Sequence, residues 1–266
     1  MPTTASSPRL AYTLVGPAEG PVVVFVTGIG GAQAAFALQI KHFAQTRRVL
    51  TYDHRGLGDS EIGEGPVHMA DFAADLVRLL DELDIEQADF VGLSFGGRVL
   101  QQLAAGWPDR VRRMVLCSTS GGGELCEPGS GDARGILGQM TEGSEEVWSQ
   151  RIAPLLFGPR YVAAYPERIE ALARWRARYP QSPVGIARQW EAWKSFDLGD
   201  QLQQVDCPVL VLHGSDDALS PVSNGEALAN HLPNASFQLM EGIGHSPNVE
   251  DPRGFNQAIE YFFDQG

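Results

Sequence analysis

The chain has 266 residues, a formal net charge of −13, 43% hydrophobic and 20% charged residues. The acid excess excludes a nucleic-acid surface, which needs clustered Lys and Arg, and no stretch is long and apolar enough to cross a bilayer. Residues 1–8 lack the basic-then-apolar order of a signal peptide, and three cysteines without short spacing form neither a disulfide framework nor a zinc site, so a cytoplasmic protein is expected.

Residues 22–26, Val-Val-Val-Phe-Val, form a continuous apolar run rich in β-branched side chains, the mark of a strand buried on both faces. Gly28, Gly30 and Gly31 follow at once. Residues 48–52 predict the next strand, which ends at Asp53-His-Arg-Gly56. Over 70–83, Phe72, Leu76, Leu79, Leu80 and Leu83 recur at helical spacing. A strand over 88–93 leads into a helix over 95–106. Strands over 114–117 and 209–212, a shorter one over 235–239 and an amphipathic helix over 253–263 complete the series. Strands alternating with helices predict an α/β fold with a mostly parallel central sheet covered on both faces. The rhythm breaks between 120 and 204, where four of the five tryptophans lie, Trp190 and Trp193 among them. This segment reads as a helical lid (120–204) inserted into one core domain made of 1–119 and 205–266.

The strongest chemical signal is Gly92-Leu-Ser-Phe-Gly96, a G-x-S-x-G sequence between a strand and a helix. A sharp turn there holds Ser94 in a strained conformation, and glycines two residues either side avoid collision. The N–H of Phe95, at a helix start, points toward a reacting carbonyl. A serine hydroxyl needs a base. His42, His68 and His231 fall on surface helices or their ends. His54 follows a strand, where it either lines the site or is structural, and His213 ends a strand and packs beside the site. His245 lies in Glu241-Gly-Ile-Gly-His-Ser-Pro247, a flexible turn after the last strand, at the edge where open parallel sheets bind ligands. A third group must hold the imidazole, and His213-Gly-Ser-Asp-Asp217 offers both Asp216 and Asp217.

These residues resemble the α/β-hydrolase superfamily over nearly the whole chain. Asp53-His-Arg-Gly-Leu-Gly-Asp-Ser60 is similar to its D-x-R-G-x-G-x-S segment, whose Asp and Arg are structural. His213-Gly-Ser-Asp-Asp-Ala-Leu-Ser-Pro221 resembles H-G-x-x-D-x-x-x-P, and Gly244-His-Ser-Pro-Asn-Val-Glu-Asp-Pro252 resembles G-H-x-x-x-x-E-x-P. The resemblance implies a triad of Ser94, Asp217 and His245, with the backbone N–H groups of Ile29 and Phe95 as oxyanion hole. One departure stands out: many relatives carry His-Gly after the first central strand, and here it is Thr27-Gly28. The Gly-Leu-Ser elbow, the short lid and the C-terminal half look most like the small carboxylesterase and 3-oxoadipate enol-lactonase branch.

The resemblance implies hydrolysis of a small ester through an acyl-enzyme, with no cofactor and no metal. The alternatives are an enol-lactone or a C–C bond in an acidic ring-cleavage product, whose carboxylate Arg174, Arg176 or Arg178 would hold unless they form a solvated charged helix face. Dehalogenases and epoxide hydrolases on this fold use an aspartate nucleophile, which Ser94 argues against. A non-enzymatic binding module is the other class, and the intact set of serine, aspartate, histidine and elbow glycines weighs against it. The expected partner is a small-molecule ester or lactone; no nucleic acid and no membrane.

Overall fold

The computed structural model describes residues 1–65, 67–139, 144, 147–179 and 181–265. Seven strands form one sheet: β1 (Tyr12–Val15), β2 (Val22–Val26), β3 (Arg48–Tyr52), β4 (Ala88–Leu93), β5 (Val111–Cys117), β6 (Val209–Gly214) and β7 (Ala235–Met240), in the spatial order β1-β3-β2-β4-β5-β6-β7. Only β1 runs antiparallel to its neighbour. Nothing in the sequence announces it, because a four-residue, half-exposed edge strand carries no buried run.

The apolar strands are buried on both faces because side chains alternate. Val22, Val24 and Val26 enter one hydrophobic cluster, and Val23 and Phe25 enter the other. The first cluster is closed by α2 (Met69–Glu82), α3 (Phe95–Gly106) and α9 (Val222–His231), which contribute Leu76, Leu100 and Leu228. The second is closed by α1 (Ala37–Phe43) and α11 (Pro252–Asp264), through Phe43, Phe255 and Ile259. The expected layers, helices on both faces, are present. β5 begins at Val111, three residues before its apolar run. Arg112 and Arg113 hide the start, since Arg112 pairs with buried Asp89 at 2.5 Å and Arg113 reaches the carbonyl of Phe263.

Strand order sets the site. From β2 the chain crosses to β3 on one side, and from β4 to β5 on the other, with β2 and β4 adjacent. Their connections therefore leave in opposite directions and open a crevice at the carboxyl ends of these two strands.

Between β5 and β6 the described helices are α4 (Ala133–Gly138), a π-helical turn at Trp148–Ile152, α5 (Ala153–Leu156), α6 (Pro159–Ala164), α7 (Pro166–Arg178) and α8 (Pro183–Lys194), with α10 (Pro247–Glu250) after β7. They share a third cluster, including Ile152, Phe157, Ile169 and Ile186, with Val249 of α10 packed against it, and it also takes in Leu57 and Ile29 from loops at the sheet edge. From Ala192 onward the packing changes: Ala192, Phe196, Leu198 and Leu202 join the first cluster beside the sheet. Among the described residues no helix is long and apolar enough to cross a membrane.

Candidate active site

Ser94 caps α3 at φ 54, ψ −112, a region L-residues rarely occupy. Its neighbours over-determine that conformation. Its N–H donates to Cys117 O at 2.8 Å, and its own carbonyl accepts from Thr119 Oγ1 at 2.8 Å. A Cβ on Gly92 would stand 2.6 Å from the Gly96 carbonyl oxygen, and one on Gly96 would stand 2.1 Å from Val26 O. The elbow thus needs Gly92 against its own turn and Gly96 against β2. The Ser94 side chain caps no N–H of α3, so its hydroxyl and the first-turn N–H groups, Phe95 included, are not spent on each other.

The turn after β2 lies beside it: a Cβ on Gly28 would be 3.4 Å from Ser94 Cβ and 4.0 Å from Oγ. Thr27 Oγ1 donates to Gly31 O at 3.1 Å, and Gly31 N–H donates to Gly28 O at 3.1 Å. Position 27 lacks an imidazole, but His54 supplies one from the end of β3. Its Nε2 donates to Thr27 O at 3.2 Å, while its ring stands edge-on to Phe72 and Phe95. Burial pulls His54 down to about 4, so this ring is neutral and structural.

His245 and Asp217 come together from the loops after β7 and β6. His245 Nδ1 donates to Asp217 Oδ2 at 2.8 Å and lies 3.0 Å from Oδ1. Oδ1 also accepts the N–H groups of Leu219 and Ser220, both at 2.9 Å, and His213 Nε2 stands 3.4 Å from Oδ2. Burial opposes ionisation of Asp217, but the charge of His245 and the hydrogen bonds from both histidines outweigh it. The carboxyl is held well below the usual carboxylate range. Asp216 is half-buried and points elsewhere: its carboxylate accepts Ser215 Oγ at 3.0 Å. With Nδ1 engaged, the basic nitrogen of His245 is Nε2. Among the described residues no hydrogen bond joins it to Ser94 Oγ. Both residues line the same cavity, and such contacts commonly tighten only when substrate binds.

That cavity, of about 1190 Å³, is lined by Ile29, Ser94 and His245 and by Phe157, Leu172 and Arg176 from the segment between β5 and β6. Of the three arginines singled out from the sequence, Arg176 alone lines it. Arg174 is exposed and pairs with Glu170 at 3.6 Å, and Arg178 lies over the Tyr179 ring. Desolvation lowers Arg176 to about 10, which leaves it charged at neutral pH. Trp190 and Trp193 face instead a smaller recess of about 40 Å³ that also reaches Ser94 and His245. Among the described residues no group of three or more His, Cys, Asp or Glu is placed to hold a metal ion.

Three contributors had no assigned role in the sequence. Glu250 belongs to the quoted histidine-loop motif. Its carboxylate accepts Gly244 N–H and Gly158 N–H, each at 2.9 Å, and so ties the histidine loop to the segment between β5 and β6. Burial pushes this carboxyl up to about 7, against the pull of those N–H groups. Thr119 and Gln189 have no sequence signal at all.

Residues 21–252 match the family described as the alpha/beta hydrolase fold. The 3-oxoadipate enol-lactonase 2 of Acinetobacter baylyi is 32% identical over 257 residues, spanning 97% of this chain and 94% of that protein. A Caulobacter segnis protein, provisionally named a carbamate hydrolase, is 33% identical over 267 residues, spanning 98% of this chain and 99% of its own. Among solved structures, the enol-lactonase from Burkholderia xenovorans superposes with a TM-score of 0.87 at 26% identity, covering 99% of this chain and 100% of that one.

Proposed function

The chain belongs to the α/β-hydrolase fold family and is a hydrolase, and on that footing we propose that it cleaves a small carboxylic ester through an acyl-enzyme on Ser94. The observation that carries this reading is the 2.8 Å bond from His245 Nδ1 to Asp217, which leaves Nε2 as the base in a cavity shared with Ser94. His245 Nε2 takes the Ser94 proton as Oγ attacks the acyl carbon. The N–H groups of Ile29 and Phe95 receive the charge that develops on the carbonyl oxygen. The protonated imidazole then gives its proton to the leaving alcohol. In the second half His245 deprotonates a water, which attacks the acyl carbon and frees the acid. Asp217 stays ionised throughout and stabilises the imidazolium. The helices of 120–204 act as a lid that walls the acyl and alcohol sites.

A fluorophosphonate probe tests the nucleophile directly. Ser94 Oγ attacks phosphorus, fluoride leaves, and the serine proton passes to His245. One probe per chain is expected, on the peptide that carries Ser94. Labelling elsewhere, or none, would remove the reading.

A second reading is favoured by Arg176. It is the one side chain charged at neutral pH among the described residues lining the cavity, whose other walls are largely apolar. This supports a substrate that carries a carboxylate, as an acidic ring-opened ester or lactone does. A lactone is a cyclic ester, so the chemistry above is unchanged, and the likeness to two enol-lactonases points the same way. A charged hydrogen bond contributes roughly 1.5–3 kcal/mol. Arg176→Gln is therefore expected to raise KM for a monoalkyl succinate at least about tenfold, and for the neutral alkyl butyrate less than about threefold. Equal changes for both esters would leave the carboxylate without support.

A further inference from the structure

Gln189 sits on α8, fully buried, and plays no part in the chemistry above. Its Oε1 accepts the N–H of Gly30 at 2.8 Å, across 159 residues of sequence. Its Nε2 has no hydrogen-bond partner among the described residues. A buried amide donor left unpaired is costly, and a methionine of the same length would fill the space without that cost. What the acceptor end does for the turn offsets it.

The turn of Thr27 to Gly31 carries the Ile29 N–H. Its ends are pinned by the Thr27 hydroxyl on Gly31 O, by Gly31 N–H on Gly28 O and by His54 on Thr27 O. None of these holds its middle. Gly30 is at φ 63, in the left-handed region, and glycines on both sides of Ile29 leave the backbone free to rotate. The amide of Gln189 engages the peptide between Ile29 and Gly30, the unit next to the one that bears the Ile29 N–H. Donors to an oxyanion act by being fixed before the charge appears.

We infer that Gln189 is a positioning residue: from the inserted segment it holds the Ile29 N–H in register with that of Phe95, so that both meet the oxyanion. This rests on the acyl-transfer reading. It also makes the lid part of the machinery, since one of its side chains sets the geometry of a loop on the sheet.

Gln189→Met in the full chain separates this role from simple packing. Deleting an oxyanion donor costs about 10²–10³ in kcat, and a donor present but loosened costs less. The variant is expected to lose about 10- to 100-fold in kcat with KM within about threefold. A boronic acid reports the same site: boron bonds Ser94 Oγ, the serine proton moves to His245, and the tetrahedral adduct carries the negative charge. Its inhibition constant is expected to rise by the factor lost in kcat. The variant removes the unpaired Nε2 donor but also the acceptor of the Gly30 N–H, so its melting temperature should stay within about 2–4 °C of the wild type. Stability and activity falling together, or failure to fold, would mark Gln189 as packing only and overturn the inference, as would unchanged kcat and boronate affinity. A wild type that binds no boronate and takes no label at Ser94 defeats the acyl-transfer reading itself, and this inference with it.

Discussion

Ser94→Ala is expected to fold like the wild type and to lose about 10⁶ in kcat, the scale seen when a serine nucleophile is removed from a comparable triad. On the activation barrier that is roughly 8 kcal/mol. The fold should survive because the hydroxyl makes no cap on α3 and its removal empties no hydrogen bond of the elbow. The bonds that hold the turn run through the backbone, from Ser94 N–H to Cys117 O and from Thr119 to Ser94 O, and alanine keeps both. A melting temperature within about 2–4 °C of wild type corresponds to ~1 kcal/mol for a chain of this class. Ser94→Gly sharpens the test. At φ 54 a non-glycine residue is strained, and glycine relieves that strain. The glycine variant should therefore melt no lower than Ser94→Ala while being equally inactive, which would show strain kept for catalysis. Retention of even a tenth of wild-type turnover in either variant would move the nucleophile elsewhere.

The sheet is legible in the sequence where burial is two-sided. The runs at 22–26 and 209–212 are continuous because both faces are covered, and each is a strand. β1 escapes because its pairing with β3, not its side chains, makes it a strand. The arginines that open β5 look like the end of an element until Asp89 and the carbonyl of Phe263 are seen to receive them. The elbow and the histidine loop are readable because their constraints are local: each is a short turn whose glycines announce it. Gln189 and Thr119 are not readable, since each acts on a backbone group far away in the chain, and nothing local marks a glutamine that will meet Gly30. The three arginines of α7 show a similar limit. Arg174, Arg176 and Arg178 are close in sequence but successive members point to different sides of the helix, and only the placement of α7 over the crevice selects Arg176.

The two adjacent acids give the second large effect. Asp217→Asn is expected to lower kcat by about 10⁴, and Asp216→Asn by less than about tenfold. An amide usually has two orientations open to it, but at position 217 the backbone removes one. Oδ1 accepts the N–H groups of both Leu219 and Ser220 at 2.9 Å, so the oxygen of an asparagine must stay there. Its NH₂ then takes the place of Oδ2, where His245 Nδ1 stands at 2.8 Å and His213 Nε2 at 3.4 Å. A donor now faces a donor. The His245 ring escapes by moving its proton from Nδ1 to Nε2, which turns Nδ1 into an acceptor for the amide and leaves Nε2 unable to take the Ser94 proton. The variant also loses the negative charge that steadies the imidazolium. Volume is conserved and the turn bonds persist, so the protein should remain folded. Asp216 meets none of these partners; its carboxylate accepts Ser215 Oγ at 3.0 Å, a role an asparagine oxygen fills as well. Steady-state kinetics on both variants, with a neutral ester at saturation, checks the ranking. If Asp216→Asn were the damaging change, or if both were mild, the support of His245 would have to come from another acid on this edge of the sheet.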